Sequence, residues 1–204
     1  MRVLVACEES QVVTKAFRRI GHEAFSCDIL PCSGGRPEWH YQNNVFDVIN
    51  EGWDLMIAFP PCTHLACSGA RWFEKKRSNG EQKNAIKFFL DLANADIKMK
   101  AVENPVGIMS TIFREPEQSI HPYFFGDEFQ KKTCLWLHNL PKLQHFQDDD
   151  LFNKKTWVDK GEMKTFKSGK VMPKWYADLR NNGGERAKTF PGLAQAMADQ
   201  WGKL

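Results

Sequence analysis

The stretch Asp54 to Ala70, DLMIAFPPCTHLACSGA, constrains the fold of this chain more than any other, because an apolar run passes directly into two prolines and a cysteine. Met56, Ile57, Ala58 and Phe59 have the length and unbroken apolarity of a strand buried on both faces, as in a parallel sheet. Pro60 and Pro61 end it, since neither can donate to a ladder. Cys62 is thereby carried on a stiff loop at a strand's carboxyl end, the edge where open α/β sheets place their ligands. A cysteine there is either a small packing residue or a nucleophile, and this segment alone favours packing.

Lys100 to Gly107, KAVENPVG, changes that balance. It reads as a second short strand ending in Glu103, Asn104 and Pro105, again delivering polar groups at a proline-stiffened edge. Taken alone, Glu103 is as often a solvated loop residue. If the two strands are neighbours, however, Cys62 and Glu103 point into one crevice. A thiolate that attacks an electron-poor carbon and an acid that polarises the same substrate form a covalent catalytic pair.

With these residues on the page, the chain resembles the cytosine-C5 DNA methyltransferases, whose Pro-Cys nucleophile loop is followed by a Glu-Asn-Val loop. The counterparts are Pro61 with Cys62 and Glu103 with Asn104, with Pro105 where the family has valine. The resemblance implies a Rossmann-like, S-adenosylmethionine-dependent α/β fold, a three-layer α/β/α sandwich. It also implies that Cys62 adds to C6 of an extruded cytosine while Glu103 binds the N3 edge, with Asn104 and Pro61 shaping the loops. The product is C5 methylation by S-adenosylmethionine, and the partner is DNA.

The resemblance runs in order along most of the chain. Arg2 to Cys7 reads as the first strand, Ser10 as an N-cap for a helix over Gln11 to Ile20, and Glu23 to Cys27 as the second strand ending at Asp28. An acid about 20 positions beyond the first turn is where nucleotide-binding α/β folds hold ribose hydroxyls. Asp28 is therefore the expected ribose ligand, and Ile29 the adenine neighbour. The turn Ala6, Cys7, Glu8, Glu9, Ser10 should line the cofactor, although it has none of the family's glycines. Asn44 and Val45 are expected near the adenine, and Pro60 beside the cofactor.

Farther on, Phe129 to Leu137, FQKKTCLWL, is similar to the family's Gln-x-Arg-x-Arg strand, with Gln130 and Lys132 matching its first two named positions and Cys134 standing at the last arginine. A thiol replaces neither the charge nor the donors of that arginine. Lys131, Lys132 and Arg71 are the candidates to substitute. On pattern alone the segment is an amphipathic strand with solvated lysines. Thr189 to Gly202 resembles the family's last motif, which would bring Gly192 and Leu193 to the cofactor; without the resemblance it reads as a short surface helix.

At 204 residues the chain suits one domain, residues 1–204. Residues 141–188 form a short basic and aromatic insertion where the family has its target recognition domain. From Asn153 to Lys188, ten Lys or Arg face four acids, interleaved with Trp157, Phe166, Trp175 and Tyr176, a composition suited to phosphates and exposed bases. So short a segment predicts relaxed sequence specificity, of a kind found in phage-type proteins. The chain is expected either to act as a monomer or to borrow a recognition surface from a protein partner.

No apolar run is long enough to span a bilayer, and Met1 to Ala6 lacks a signal-peptide pattern, so a cytoplasmic protein is expected, in the host cytoplasm if phage-encoded. The six cysteines suit a reducing compartment. Cys62, His64 and Cys67, like Cys27 and Cys32, lack the paired knuckle spacing of structural zinc, and no metal is expected. Two other readings stay open: C5 methylation of a free cytidine nucleotide such as dCMP, and a non-catalytic DNA- or cofactor-binding decoy or regulator on the same fold.

Overall fold

Alternate residues of the first strand separate into two cores, and this sets the architecture. In β1 (Arg2–Ala6) Val3 and Val5 pack on one face and Leu4 and Ala6 on the other; in β4 (Leu55–Ala58) Leu55 and Ile57 oppose Met56 and Ala58. All eight are fully buried, which requires a sheet covered on both sides. The structure, a computed structural model, describes residues 1–127, 129, 131–145, 162–178 and 189–204, and the side chains of all of these except Trp175 and Tyr176.

The remaining strands of the main sheet are β2 (Glu23–Asp28), β3 (His40–Gln42), β5 (Met99–Pro105), β6 (Gln118–Ile120) and β7 (Thr133–His138), in the order β3-β2-β1-β4-β5-β7-β6. The pairs from β3 to β5 are parallel, while β7 runs antiparallel between β5 and β6. The helices between strands are α1 (Val12–Arg19), α2 (Val45–Val48), α3 (Phe73–Ser78), α4 (Glu81–Ala93) and α5 (Met109–Ile112). One face of the sheet is covered by Phe17 of α1 and by the C-terminal helix Pro191–Trp201, the other by Phe89 and Leu92 of α4 with Trp136 against them. This is the expected Rossmann-like three-layer α/β/α sandwich. The direction of progress along the sheet reverses between β1 and β4, the switch point at which such folds open their ligand crevice.

Two local expectations are corrected. Ser10 does not cap α1: the N-cap is Gln11, in the left-handed region at φ 59°, and the orphan N–H groups of Val13 and Thr14 are taken by the carboxylate of Glu8. A longer acidic side chain reaching from two residues earlier satisfies two donors, where a serine would satisfy one. The last helix is not a surface helix either. Leu193, Ala194, Met197, Ala198 and Trp201 are buried, and Trp201 Nε1 donates to Pro141 O at 2.9 Å.

The strand expected over 129–137 begins at Thr133. Within 141–188, residues 146–161 and 179–188, Trp157 among them, lie outside the described residues, as does Gln130. The described part of that stretch holds a separate hairpin, β8 (Met163–Thr165) and β9 (Val171–Pro173), followed by α6 (Lys174–Asp178).

Candidate active site

The Cys62 loop is clamped on one side to the end of β5 and on the other to the segment that follows it. β4 and β5 are parallel neighbours whose last registered pair is Ala58 with Val102; beyond it β4 gives way to the Pro60 loop while β5 runs on to Pro105, paired with β7. On one side Asn104, almost wholly buried, donates from Nδ2 to Pro60 O at 2.9 Å. Pro60 and Pro61 bring no N–H of their own, so the asparagine supplies the donor that the backbone lacks. On the other side Cys67 N donates to Val106 O and Ile108 N to Leu65 O, each at 3.0 Å, around an Ala66–Gly107 bridge. A Cβ at Gly107 would collide with the Leu65 carbonyl, so this approach needs glycine.

Between the clamps, Cys62 O accepts from Leu65 N at 3.0 Å and Ala66 N at 2.9 Å, a tight turn that presents a half-buried Cys62 beside an exposed Pro61. Replacing Asn104 by alanine leaves the Pro60 carbonyl without this donor. The expected cost is about 1–3 kcal/mol in urea denaturation, together with loss of whatever activity depends on the placement of Cys62. Wild-type stability in Asn104→Ala would count against the clamp.

Glu103 lies on the opposite face of β5 from Asn104. Its partner across the sheet is Leu135, and Pro105 faces Thr133, so the antiparallel β7 brings the Thr133 hydroxyl to donate to Glu103 Oε1. Burial holds the Glu103 carboxyl above its usual range, opposed by the charge of Lys131 and by the Thr133 hydrogen bond. Glu103, Lys131 and Thr133 line a small cleft together with Phe59, Phe190 and Leu193.

The two lysines just before β7 act on different groups. Lys131 acts on Glu103 and stands 5.7 Å from the Phe190 ring centroid. Lys132 acts instead on His121 and Cys134. Cys134, at the place of the family's last arginine, is buried opposite Asn104 with Ser119 Oγ 3.8 Å from its sulfur, on the face away from Glu103.

At the switch point, the turn after β1 takes left-handed backbone without glycine: Cys7 has φ 60° and Gln11 φ 59°. Such values are strained for residues with a Cβ and mark a conformation imposed by its surroundings. Burial, and next the charge of Asp28, push the Cys7 thiol far above its ordinary range, which disfavours its thiolate. Glu8 is buried and its carboxyl is pushed up to about 7, burial outweighing the hydrogen bonds from Val13 and Thr14. The Glu8 side chain is thus spent on capping α1.

The loop after β2 is seated on this turn. Ser33 N donates to Glu9 O at 2.9 Å, Arg36 N to Gln11 Oε1 at 3.1 Å, and Gly34 lies so close to Ser10 O that a Cβ would not fit. Ser10 is buried beneath it. Asp28 and Ile29 remain at the open edge: Asp28 Oδ1 accepts from Leu30 N at 2.9 Å, and Ile29 is 74% exposed.

Asn44 caps α2, its side chain accepting from Phe46 N at 3.1 Å, and Val45 is buried in the core. Gly192 N and Leu193 N donate to the two oxygens of Asp127 at 3.1 and 3.2 Å. Asp127 and Thr133 were not singled out from sequence. Thr133 becomes visible only through the β5–β7 register, and Asp127 only through a contact spanning 65 residues.

His64 sits behind the Cys62 loop with Nδ1 3.6 Å from Glu81 Oε2. All six cysteines are thiols. Among the described residues, no group of three or more His, Cys, Asp or Glu is placed to hold a metal ion, and no helix is long and apolar enough to cross a membrane.

No protein-family model matches the chain, and no curated protein matches it. Among solved structures, a protein described as a DNA modification methyltransferase encoded within an E. coli prophage aligns with a TM-score of 0.43 at 13% identity. The alignment covers 67% of this chain and 46% of that one, so the chain spans a little under half of that protein's length.

Proposed function

We propose that this protein is a DNA (cytosine-5-)-methyltransferase that uses S-adenosylmethionine and a covalent bond between Cys62 and C6 of the base. The observation that carries the reading is the clasp between the Pro60–Cys62 loop and the last residues of β5, through Asn104 Nδ2 and Pro60 O. It holds a half-buried thiol and a carboxyl with a raised pKa at the carboxyl ends of two adjacent parallel strands. A binding module has no need of that pair.

The residues at the switch point fit the cofactor. Asp28 has acceptor capacity beyond its bond to Leu30 N, suited to a ribose diol, and Ile29 offers an exposed apolar side chain to an adenine. S-adenosylmethionine, when bound, supplies an electrophilic methyl group.

The chain's own groups do the rest. The thiolate of Cys62 adds to C6, and the electron pair of the C5–C6 bond becomes available at C5. Glu103, whose carboxyl burial holds above its usual range, donates in its protonated form to N3 and stabilises that charge. After methylation solvent takes up the C5 proton, the C5–H electron pair re-forms the C5–C6 double bond, and the bond from C6 to Cys62 breaks to release the thiolate. We place Lys131, not Lys132, as the cation nearest the base, because Lys131 shares the Glu103 face. The base must leave the stack, since C6 is shielded on both faces in a duplex. The basic insertion over 141–188 is the proposed contact to the DNA backbone.

The test is transfer of tritiated methyl from S-adenosylmethionine to cytosine-rich DNA, with dCMP in parallel. Label in DNA supports the reading, and label in dCMP alone makes the protein a nucleotide enzyme. The seating of Ser33 and Gly34 over the first turn favours a non-catalytic role on the same fold, and that role predicts label in neither.

A further inference from the structure

A second cleft, of about 630 Å³, opens at the far edge of the sheet and shares no lining residue with the cleft at Glu103. It is bordered by Gly21 and His22, which lead into the first residue of β2, and by Arg36 and Trp39, which lead into β3. Gly21 and His22 stand at the amino end of β2, whereas Arg36 belongs to the loop seated on the turn after β1, so the cleft runs along the edge of the sheet. Lys15, Arg18 and Arg19 of α1 complete its wall.

The cations are arranged rather than merely numerous. Arg18 lies between two rings, its guanidinium carbon 4.5 Å from the Trp39 centroid and 4.7 Å from that of Phe25, and its Nε donates to Ala24 O at 2.7 Å. Arg36 stacks on Trp39 as well, at 5.1 Å. A guanidinium fixed by stacking and by its Nε loses little further freedom on meeting an anion, so its terminal N–H groups form a preorganised fork.

The acids nearby leave an excess of positive charge. Glu38 pairs with Arg36 at 3.6 Å and Glu23 with Arg2 at 3.8 Å, against Lys15, Arg18, Arg19 and Arg36 in the wall. Complementing the α1 dipole does not explain the arrangement, because the last carbonyls of α1 are taken by backbone: Phe17 O accepts from His22 N and Arg18 O from Gly21 N.

We infer that this cleft binds a phosphodiester backbone, giving the protein a second DNA contact at the edge of the sheet, apart from the cleft at Glu103. Planar, stacked arginines flanked by a lysine suit phosphate oxygens better than the carboxylates of an acidic protein, because the fork meets phosphate in two-point fashion and the exposed cations can follow a repeating charge. The choice of DNA as the polyanion rests on the function proposed above; the anion chemistry of the cleft does not.

The experiment is anisotropy of a short labelled duplex, without cofactor, on wild type, Arg18→Gln and the double variant Arg19→Gln/Arg36→Gln. The double variant changes two exposed side chains and leaves the Arg18 stack in place, so it keeps the test meaningful if Arg18→Gln destabilises the fold. Between about 50 and 200 mM salt, the double variant is expected to bind about tenfold more weakly at the lower salt, with a log–log salt slope shallower by about 2.

Unchanged affinity and slope in both variants would overturn the inference. So would weakened binding of polyglutamate with duplex binding intact, which would make the partner an acidic protein. Methyl transfer is read separately. Label in DNA with no effect of the variants sinks the cleft alone, whereas the variant effect without label sinks the methyltransferase reading alone.

Discussion

Cys62→Ser is expected to lose methyl transfer by about 10⁴-fold or more, equivalent to at least about 5.4 kcal/mol of transition-state stabilisation. A serine hydroxyl in the same turn is not ionised near neutral pH and is a far weaker nucleophile than a thiolate, so it does not add to C6 at a useful rate. The covalent step has its own readout. In duplex DNA carrying 5-fluorocytosine, fluorine takes the place of the proton that must leave C5, so the Cys62–C6 bond persists after methylation.

Wild type should therefore form a denaturation-resistant protein–DNA adduct with S-adenosylmethionine present, and Cys62→Ser none. Cys67→Ser, which alters an exposed thiol and keeps the backbone bond from Cys67 N to Val106 O, should form the adduct as wild type does. An adduct that survives Cys62→Ser would move the nucleophile elsewhere.

The sequence made the strands around this cysteine easy to read because each is short, apolar and ended by a residue that cannot continue it. Pro60 ends β4 and Asp28 ends β2, and their parallel neighbours follow from burial on both faces. The placing of Cys62 just beyond β4 and of Glu103 near the end of the neighbouring β5 follows from the same pattern.

What the sequence could not display is register and reach. The antiparallel pairing of β7 puts Thr133 and Lys131 with Glu103 and turns Cys134 away, an outcome that depends on a single-residue choice of alternation. Capping of α1 by Glu8 was hidden because Ser10 is the stronger local cap by type, whereas the left-handed Gln11 redirects the chain so that only the longer acid reaches. The burial of Trp201 arises from packing against a sheet formed by residues far earlier in the chain.

Glu103→Gln should reduce methyl transfer by about 10²–10⁴-fold, the range of a lost general acid. Glutamine keeps the size of the side chain and can donate to N3, but it cannot shift a proton toward the base as charge develops there. The pH profile separates this role from mere packing. Burial raises the Glu103 carboxyl above its ordinary value, so the neutral, donating form persists to higher pH than for an exposed glutamate and is lost as pH rises through the raised value.

Wild-type activity should therefore carry a falling limb on its alkaline side, and Glu103→Gln should lose that limb. Lys131 and the Thr133 hydroxyl both pull the Glu103 value down, so Lys131→Met, which removes the charge, should move the limb to higher pH. Movement to lower pH in Lys131→Met, or an unchanged limb in Glu103→Gln, would assign the ionisation to another group and leave Glu103 as a structural partner of Thr133.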